Sequence, residues 1–360
     1  MTASTFHHRQ PFALKCGALP DFVLAYESWG KLNSARDNAV LLFTGLSPSA
    51  HAASSPADPS AGWWEDMLGP DKPIDTNGYF VICVNSLGSC FGSTGPASPH
   101  PDDGAPWRLR FPVLTLEDIA NTGALLLDEL NIEQLHTVIG ASMGGMTALA
   151  FALQHPQRAR GLVSISSAAR SLPFSIALRS LQRELIWTDA SWEEGHYPMD
   201  QPPRNGMRLA RKLGMITYRS AKEWDLRFGR ERATSDAHQG HAFGIDFEVE
   251  SYLEAHAKRF IGAFDPNCYL YLSRAMDLFD ATDHGGTLSA AMARVQCERA
   301  MIIGVETDLL FPLSQQQELA EALELKIPEV RFHPLASLQG HDSFLVDMDR
   351  FRPPVADFFA

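Results

Sequence analysis

The feature that most narrows the fold is a junction around residue 142. Thr137-Val138-Ile139 reads as a strand, and residues 143–155 read as a helix rich in Ala, Leu and Met, with Pro156 just beyond as a stop signal. Between and across them runs Gly140-Ala141-Ser142-Met143-Gly144-Gly145. A chain that passes from strand to helix so abruptly must fold tightly, and small residues two before and two after Ser142 are what such a turn tolerates. The turn lifts a serine oxygen above the sheet. The helix beginning there also aims free N–H groups and a partial positive charge at the same point. Ser142 is therefore a candidate nucleophile. The competing reading is a glycine-rich turn carrying a surface serine.

The rest of the chain offers a sheet for this junction. Apolar, β-branched runs occupy 39–43, 80–84, 162–165 and 301–305, each ending in small or turn residues. Runs that are apolar on both faces suit strands covered on both sides, as in a parallel sheet between helices. Residues 116–130 carry a helical pattern, and alternation of strand and helix predicts an α/β domain. From about 170 to 280 the strand signal disappears. The text there is helical, dense in Arg, Trp and acidic residues, and broken by a loop-like stretch from His196 to Pro203. The expected organisation is a core of residues 1–170 and 285–360 with a helical lid over 171–284. No internal repeat or low-complexity tract interrupts it.

A formal net charge of −13 over 360 residues argues against nucleic acid or an anionic membrane surface as partner, although a local arginine cluster can still meet an anionic substrate. The five cysteines, Cys16, Cys83, Cys90, Cys268 and Cys297, are scattered without zinc-ligand or CxxC spacing, which fits a reducing compartment. Residues 1–14 lack the apolar run of a secretory signal, and no stretch of about 18 apolar residues is present to span a bilayer. The expectation is a cytoplasmic protein without metal or bound cofactor.

A serine nucleophile needs a base held by an orienting acid, here in the chain order serine, acid, histidine. Asp308 follows the run ending at Val305, where a sheet would deliver such an acid; Glu306 competes, and a turn or helix-cap role is open to either. His341 lies in Gln339-Gly340-His341-Asp342, in a loop after an expected strand near 330–332. Other histidines, such as His51, His155 and His256, lack this placement. An oxyanion hole needs two backbone donors: the N–H of Met143 is one candidate, and that of Leu46, in the Gly45-Leu46-Ser47-Pro48-Ser49 loop after an early strand, is the other.

With these residues the chain resembles the homoserine and serine O-acyltransferases of the α/β-hydrolase superfamily. The matching text includes Gly62-Trp63-Trp64, Asn85-Ser86-Leu87-Gly88, Gly92-Ser93-Thr94-Gly95-Pro96, Ser142-Met143-Gly144-Gly145-Met146, Ile216-Thr217-Tyr218-Arg219-Ser220 and Gln339-Gly340-His341-Asp342, and runs from about Tyr26 to the C-terminus. The resemblance implies an α/β-hydrolase fold with a mostly parallel sheet and a helical lid. It also implies a Ser142–His341–Asp308 triad, and transfer of an acyl group from acyl-CoA, a substrate here, through an acyl-Ser142 ester to an amino-acid hydroxyl. Arg211 matches the family's substrate-binding arginine, suited to a carboxylate, and Asp342 its substrate-binding aspartate. The Gly45-Leu46-Ser47-Pro48 wording resembles the serine-using branch, and residues 178–183 and 267–274 resemble serine O-succinyltransferases. A succinyl group adds a carboxylate, for which Arg179 is the candidate cation. The implied reaction joins succinyl-CoA and L-serine for cysteine synthesis. Acetyl-CoA as donor, L-homoserine as acceptor, or plain ester hydrolysis are the alternatives. A homodimer joined through the lid is implied by the resemblance alone.

Overall fold

The computed structural model describes residues 4–234 and 242–360. Strand β1 (Ser4–His8) is followed by a hairpin of β2 (Phe12–Leu14) and β3 (Gly17–Leu19), then by β4 (Phe22–Trp29) and β5 (Ala39–Phe43). A two-strand patch, β6 (Leu68–Gly69) with β7 (Ile74–Asp75), precedes β8 (Phe80–Val84). Helix α1 (Leu116–Glu129), β9 (Leu135–Ala141), α2 (Met143–Gln154) and β10 (Ala159–Ile165) complete the first part of the core. Among the described residues the next α-helices are α3 (Pro173–Trp187), α4 (Arg204–Tyr218), α5 (Ala221–Phe228), α6 (Glu248–Phe260) and α7 (Pro266–Leu278). The short α8 (Leu288–Met292) leads to β11 (Arg299–Val305), α9 (Leu313–Glu324), β12 (Glu329–Leu335), α10 (Ser343–Val346) and α11 (Met348–Phe359).

Eight strands form one sheet in the order β1-β4-β8-β5-β9-β10-β11-β12. β4 runs antiparallel to β1 and β8, and every pairing from β8 to β12 is parallel. The period-2 geometry of a strand explains its composition. In β5, Leu41 and Phe43 enter the core on the side of α1 and α2, while Val40 and Leu42 enter a second core that includes Trp64 and the α11 residues Phe351, Val355 and Phe358. Both faces are covered, so neither can be polar.

The chain leaves this core after β10 and returns beside its exit, where Arg170 bridges to Asp280 and Ala281 N–H donates to the Ala169 carbonyl at 2.9 Å. The helices α3 to α7 lie between these two points, with α4 packed between α3 and α6. Among the described residues no helix is long and apolar enough to cross a membrane, and no cluster of three or more His, Cys, Asp or Glu side chains is arranged to hold a metal ion.

Candidate active site

β9 ends at Ala141 and α2 begins at Met143, so Ser142 alone makes the turn. Its backbone sits at φ 56°, ψ −124°, a conformation that costs an L-residue energy and persists only when the surroundings enforce it. They do so through hydrogen bonds and close packing. Ser142 N–H donates to the Ile165 carbonyl at 2.9 Å, and the Ser142 carbonyl accepts from Gly145 and Met146 at 3.0 and 3.2 Å. A Cβ on Gly140 would lie 2.2 Å from the Gly144 carbonyl carbon, and one on Gly144 would lie 2.2 Å from the Phe43 carbonyl oxygen. Glycine is required at both positions by close backbone approach.

Asp308 stands in the turn after β11, with a side chain 0% exposed. Its Oδ1 accepts from the N–H groups of Leu310 and Phe311 at 2.9 and 3.0 Å, which fixes the carboxylate. Oδ2 lies 2.8 Å from Nδ1 of His341, and His341 Nε2 lies 2.8 Å from Ser142 Oγ. A carboxylate can only accept, so Nδ1 carries the proton and Nε2 is the lone pair facing the serine hydroxyl. Burial works against the imidazolium, but the charge and hydrogen bond of Asp308, aided by Asp342, outweigh it and raise the His341 pKa. Glu306 is exposed and takes no part. Sequence reasoning left Asp308 and Glu306 open; the buried pair of N–H donors around Asp308 separates them.

Ser142 and His341 open into a cleft with a cavity volume of ≈ 150 Å³. Gly45, Leu46, Ser47 and Pro48 line one wall. Met143 is the first residue of α2, so its N–H has no acceptor within the helix, while its side chain is buried in the core. Arg211, from α4, lines the cleft with its guanidinium carbon 4.6 Å from the Phe260 ring centre and 5.9 Å from that of Tyr218. Its Nε is buried without a hydrogen-bond partner, and it forms no ion pair among the described residues. Asp342 also lines the cleft, with Oδ2 3.2 Å from Arg219 Nε; burial nonetheless raises its pKa against the pull of Arg219, His341 and Arg211.

Arg179, from α3, is buried against the cleft but already has partners: Nε donates to Asp277 at 2.7 Å and Nη2 to Ser171 at 2.6 Å. Arg183 donates to the other oxygen of Asp277 at 2.7 Å. One carboxylate thus serves two guanidinium groups, leaving one positive charge in excess behind the cleft. Sequence reasoning gave no role to Tyr218, Tyr269, Gln182 or Trp63, all of which line the cleft. One signal was present: Tyr218 lies seven residues, two helical turns, after Arg211, which puts both on one face of α4. Burial raises the pKa of Tyr218, so its hydroxyl keeps its proton as a donor.

Comparison with known proteins agrees with this architecture. The profile of the alpha/beta hydrolase fold matches residues 38–347. A serine O-succinyltransferase of Litchfieldella anticariensis is 56% identical over 96% of this chain and 94% of its own length. An L-serine/homoserine O-acetyltransferase of Streptomyces lavendulae is 58% identical over 96% of this chain and 93% of its own. The crystal structure of a homoserine O-acetyltransferase from Bacillus anthracis superposes with a TM-score of 0.91 at 25% identity, covering 99% of this chain and 97% of that one. With a matching profile over most of its length and relatives above half identity along nearly the whole chain, the chain belongs to the α/β-hydrolase fold family and, within it, to the homoserine and serine O-acyltransferases.

Proposed function

We propose that the protein transfers the succinyl group of succinyl-CoA to the hydroxyl of L-serine through an ester on Ser142, supplying an activated serine for cysteine synthesis. The observation that carries this reading is the hydrogen-bonded Ser142–His341–Asp308 relay in a cleft that also presents Arg211, which forms no ion pair among the described residues. A simple hydrolase needs the relay; an acceptor bearing a carboxylate also needs the arginine.

In the first half-reaction His341 Nε2 takes the Ser142 proton as Oγ attacks the thioester carbonyl. The N–H groups of Met143 and Leu46 receive the developing oxyanion. The carbon–sulfur bond then breaks, and His341 returns the proton to the departing CoA sulfur. In the second, His341 takes the proton of the serine hydroxyl, whose oxygen attacks the acyl-Ser142 carbonyl; Ser142 leaves and recovers a proton from His341. Arg211 holds the amino-acid carboxylate, and Asp342 the ammonium. Succinyl is favoured over acetyl because Arg179, which lines the cleft, shares the single carboxylate of Asp277 with Arg183. That excess positive charge suits an acyl group ending in a carboxylate.

Serine and homoserine differ by one methylene, worth about 1–3 kcal/mol in a pocket. A relative named for both acceptors supports homoserine as the second reading. The protein acts in the cytoplasm, where its free cysteines stay reduced and acyl-CoA is available. It works as a homodimer joined through α3 and α4. The test is a four-way assay of L-serine or L-homoserine with succinyl-CoA or acetyl-CoA, following CoA thiol and identifying the ester by mass. Fast turnover of serine with succinyl-CoA is the expected result. Preference for homoserine would reassign the acceptor, and CoA release without an acylated amino acid would leave only hydrolysis.

A further inference from the structure

Residues 44–67, between β5 and β6, contain no helix or strand, yet they supply Leu46, Ser47, Pro48 and Trp63 to the cleft wall. A segment without a backbone ladder is held by side chains. Trp29 of β4 donates its indole N–H to the carbonyls of Ala53 and Ser54 at 3.2 and 3.1 Å. The Glu65 carboxylate accepts from the N–H groups of Ser54 and Gly62 at 2.7 and 3.0 Å. His51 makes a further tie. Its Nδ1 lies 2.9 Å from Glu27 Oε2 on β4, and its Nε2 lies 3.0 Å from the Ser60 carbonyl. The backbone around it leads directly to the cleft: Trp63 N–H donates to the His51 carbonyl at 3.3 Å, and the Trp63 indole donates to the Ser49 carbonyl at 3.0 Å.

Both ring nitrogens of His51 face acceptors. A carboxylate and a carbonyl have no proton to give, and a neutral imidazole has only one N–H, so only the imidazolium satisfies both contacts. Ser60 Oγ lies 3.2 Å from Nε2 but donates its own proton to Asp58 at 2.5 Å. The titratable groups facing the ring and its partner are Glu27 from β4, Asp58 from the far limb of the segment, and Cys83, which pairs opposite Glu27 on β8 and is kept neutral by burial. Burial opposes the charge on His51, but Glu27 and the Ser60 carbonyl outweigh it and raise its pKa.

We infer that His51 is a positioning residue: as a doubly protonated clasp between β4 and the far limb of the segment, it holds Leu46 and Trp63 in place against the cleft. When pH rises through the folded-state pKa, the ring keeps one N–H, one tie is lost, and the wall loosens. The inference rests on the reading of this cleft as the site of acyl transfer.

NMR titration of the histidine rings in the resting protein, with the His51→Gln variant used to assign the signal, tests the clasp without reference to any substrate. His51 is expected to be doubly protonated at neutral pH and to titrate above free histidine. A neutral ring at pH 7 overturns the proposal whatever the enzyme transfers. The second measurement is the pH dependence of single-turnover CoA release. Wild type should lose rate on the alkaline side. Glu27→Gln should move that limb to lower pH, because the ring loses its carboxylate. His51→Gln, which cannot change charge, should lack the limb and run about five- to tenfold slower, the effect of one lost hydrogen bond on a positioned group. The acid limb should stay in place in both variants. An alkaline limb identical in all three proteins, or a uniform loss at every pH in both variants, overturns the role. If no acyl transfer is detected with any acceptor, the proposed reaction fails while the ring titration still decides the clasp.

Discussion

A serine oxygen is a weak nucleophile, and at Ser142 its environment changes that through His341 and Asp308. Nε2 takes the serine proton only while His341 is neutral, and Asp308 raises the pKa at which it becomes so. The sign follows: activity is low when the ring is protonated and rises as pH passes through the His341 pKa, ahead of the alkaline loss expected from His51. The midpoint of this acid limb should lie above about 6.5, the ordinary imidazole value. Asp308→Asn should lower kcat about 10³–10⁴-fold and move the limb of the residual activity to lower pH, since the charge that raised the pKa is gone. A pH–rate profile in which that limb does not move would place its control elsewhere. Arg211 contributes to the other half of the cycle. With Nε buried and unpartnered, it is prepared for a carboxylate that arrives with the acceptor. Arg211→Ala should reduce kcat/KM for the amino acid about 10- to 100-fold, the value of a charge-assisted pair, while acylation of Ser142 by the CoA donor continues. Rapid-quench measurement of CoA release with and without acceptor separates the two. Equal loss in both steps would remove Arg211 from acceptor binding.

The Ser142 turn depends on two backbones meeting where no side chain fits. In Gly144→Ala the new methyl would meet the Phe43 carbonyl, at the C-terminal end of β5, and neither backbone can yield without moving the sheet or α2. The variant should lose about 1–3 kcal/mol of stability and most of its activity, read from urea unfolding and acyl transfer on the same preparation. Full activity at unchanged stability would mean that the turn is less constrained than its 2.2 Å approach requires. This element was legible in the sequence because a strand, a small-residue turn and a helix leave separate local signals that point to one geometry. The runs at 39–43 and 80–84 are strands over those same residues, and the helix expected over 116–130 spans Leu116–Glu129. His51 was passed over because its meaning is not local. Glu27 is 24 residues earlier in the chain and is brought beside the ring only when β4 enters the sheet. Arg179 shows the same limit: carboxylate chemistry suggested a free cation, but folding pairs it with Asp277, 98 residues away, and the charge left over belongs to the pair with Arg183.

Across the whole molecule, the parallel strands bring their C-terminal ends to one edge, where Ser142, Asp308 and His341 converge from segments far apart in sequence. Helices α3, α4 and α7 complete the cleft, contributing Arg179, Arg211, Tyr218 and Tyr269. The outer side of α3 has a different character. Phe174 and Leu181 are 57% and 46% exposed, and the half-buried Leu178 lies between them at helical spacing. An apolar stripe of this kind, exposed on an otherwise strongly charged protein, is suited to burial against a second copy. Wild type should therefore sediment as two chains. Leu181→Asp would place an unpaired carboxylate in that contact, where desolvation without a partner disfavours association, and should sediment as one. The relay and Arg211 all lie on one chain, so the monomeric variant should still release CoA at a rate within a few-fold of wild type. A wild-type protein that sediments as one chain would end the dimer reading. A variant that stays dimeric would move the contact off α3.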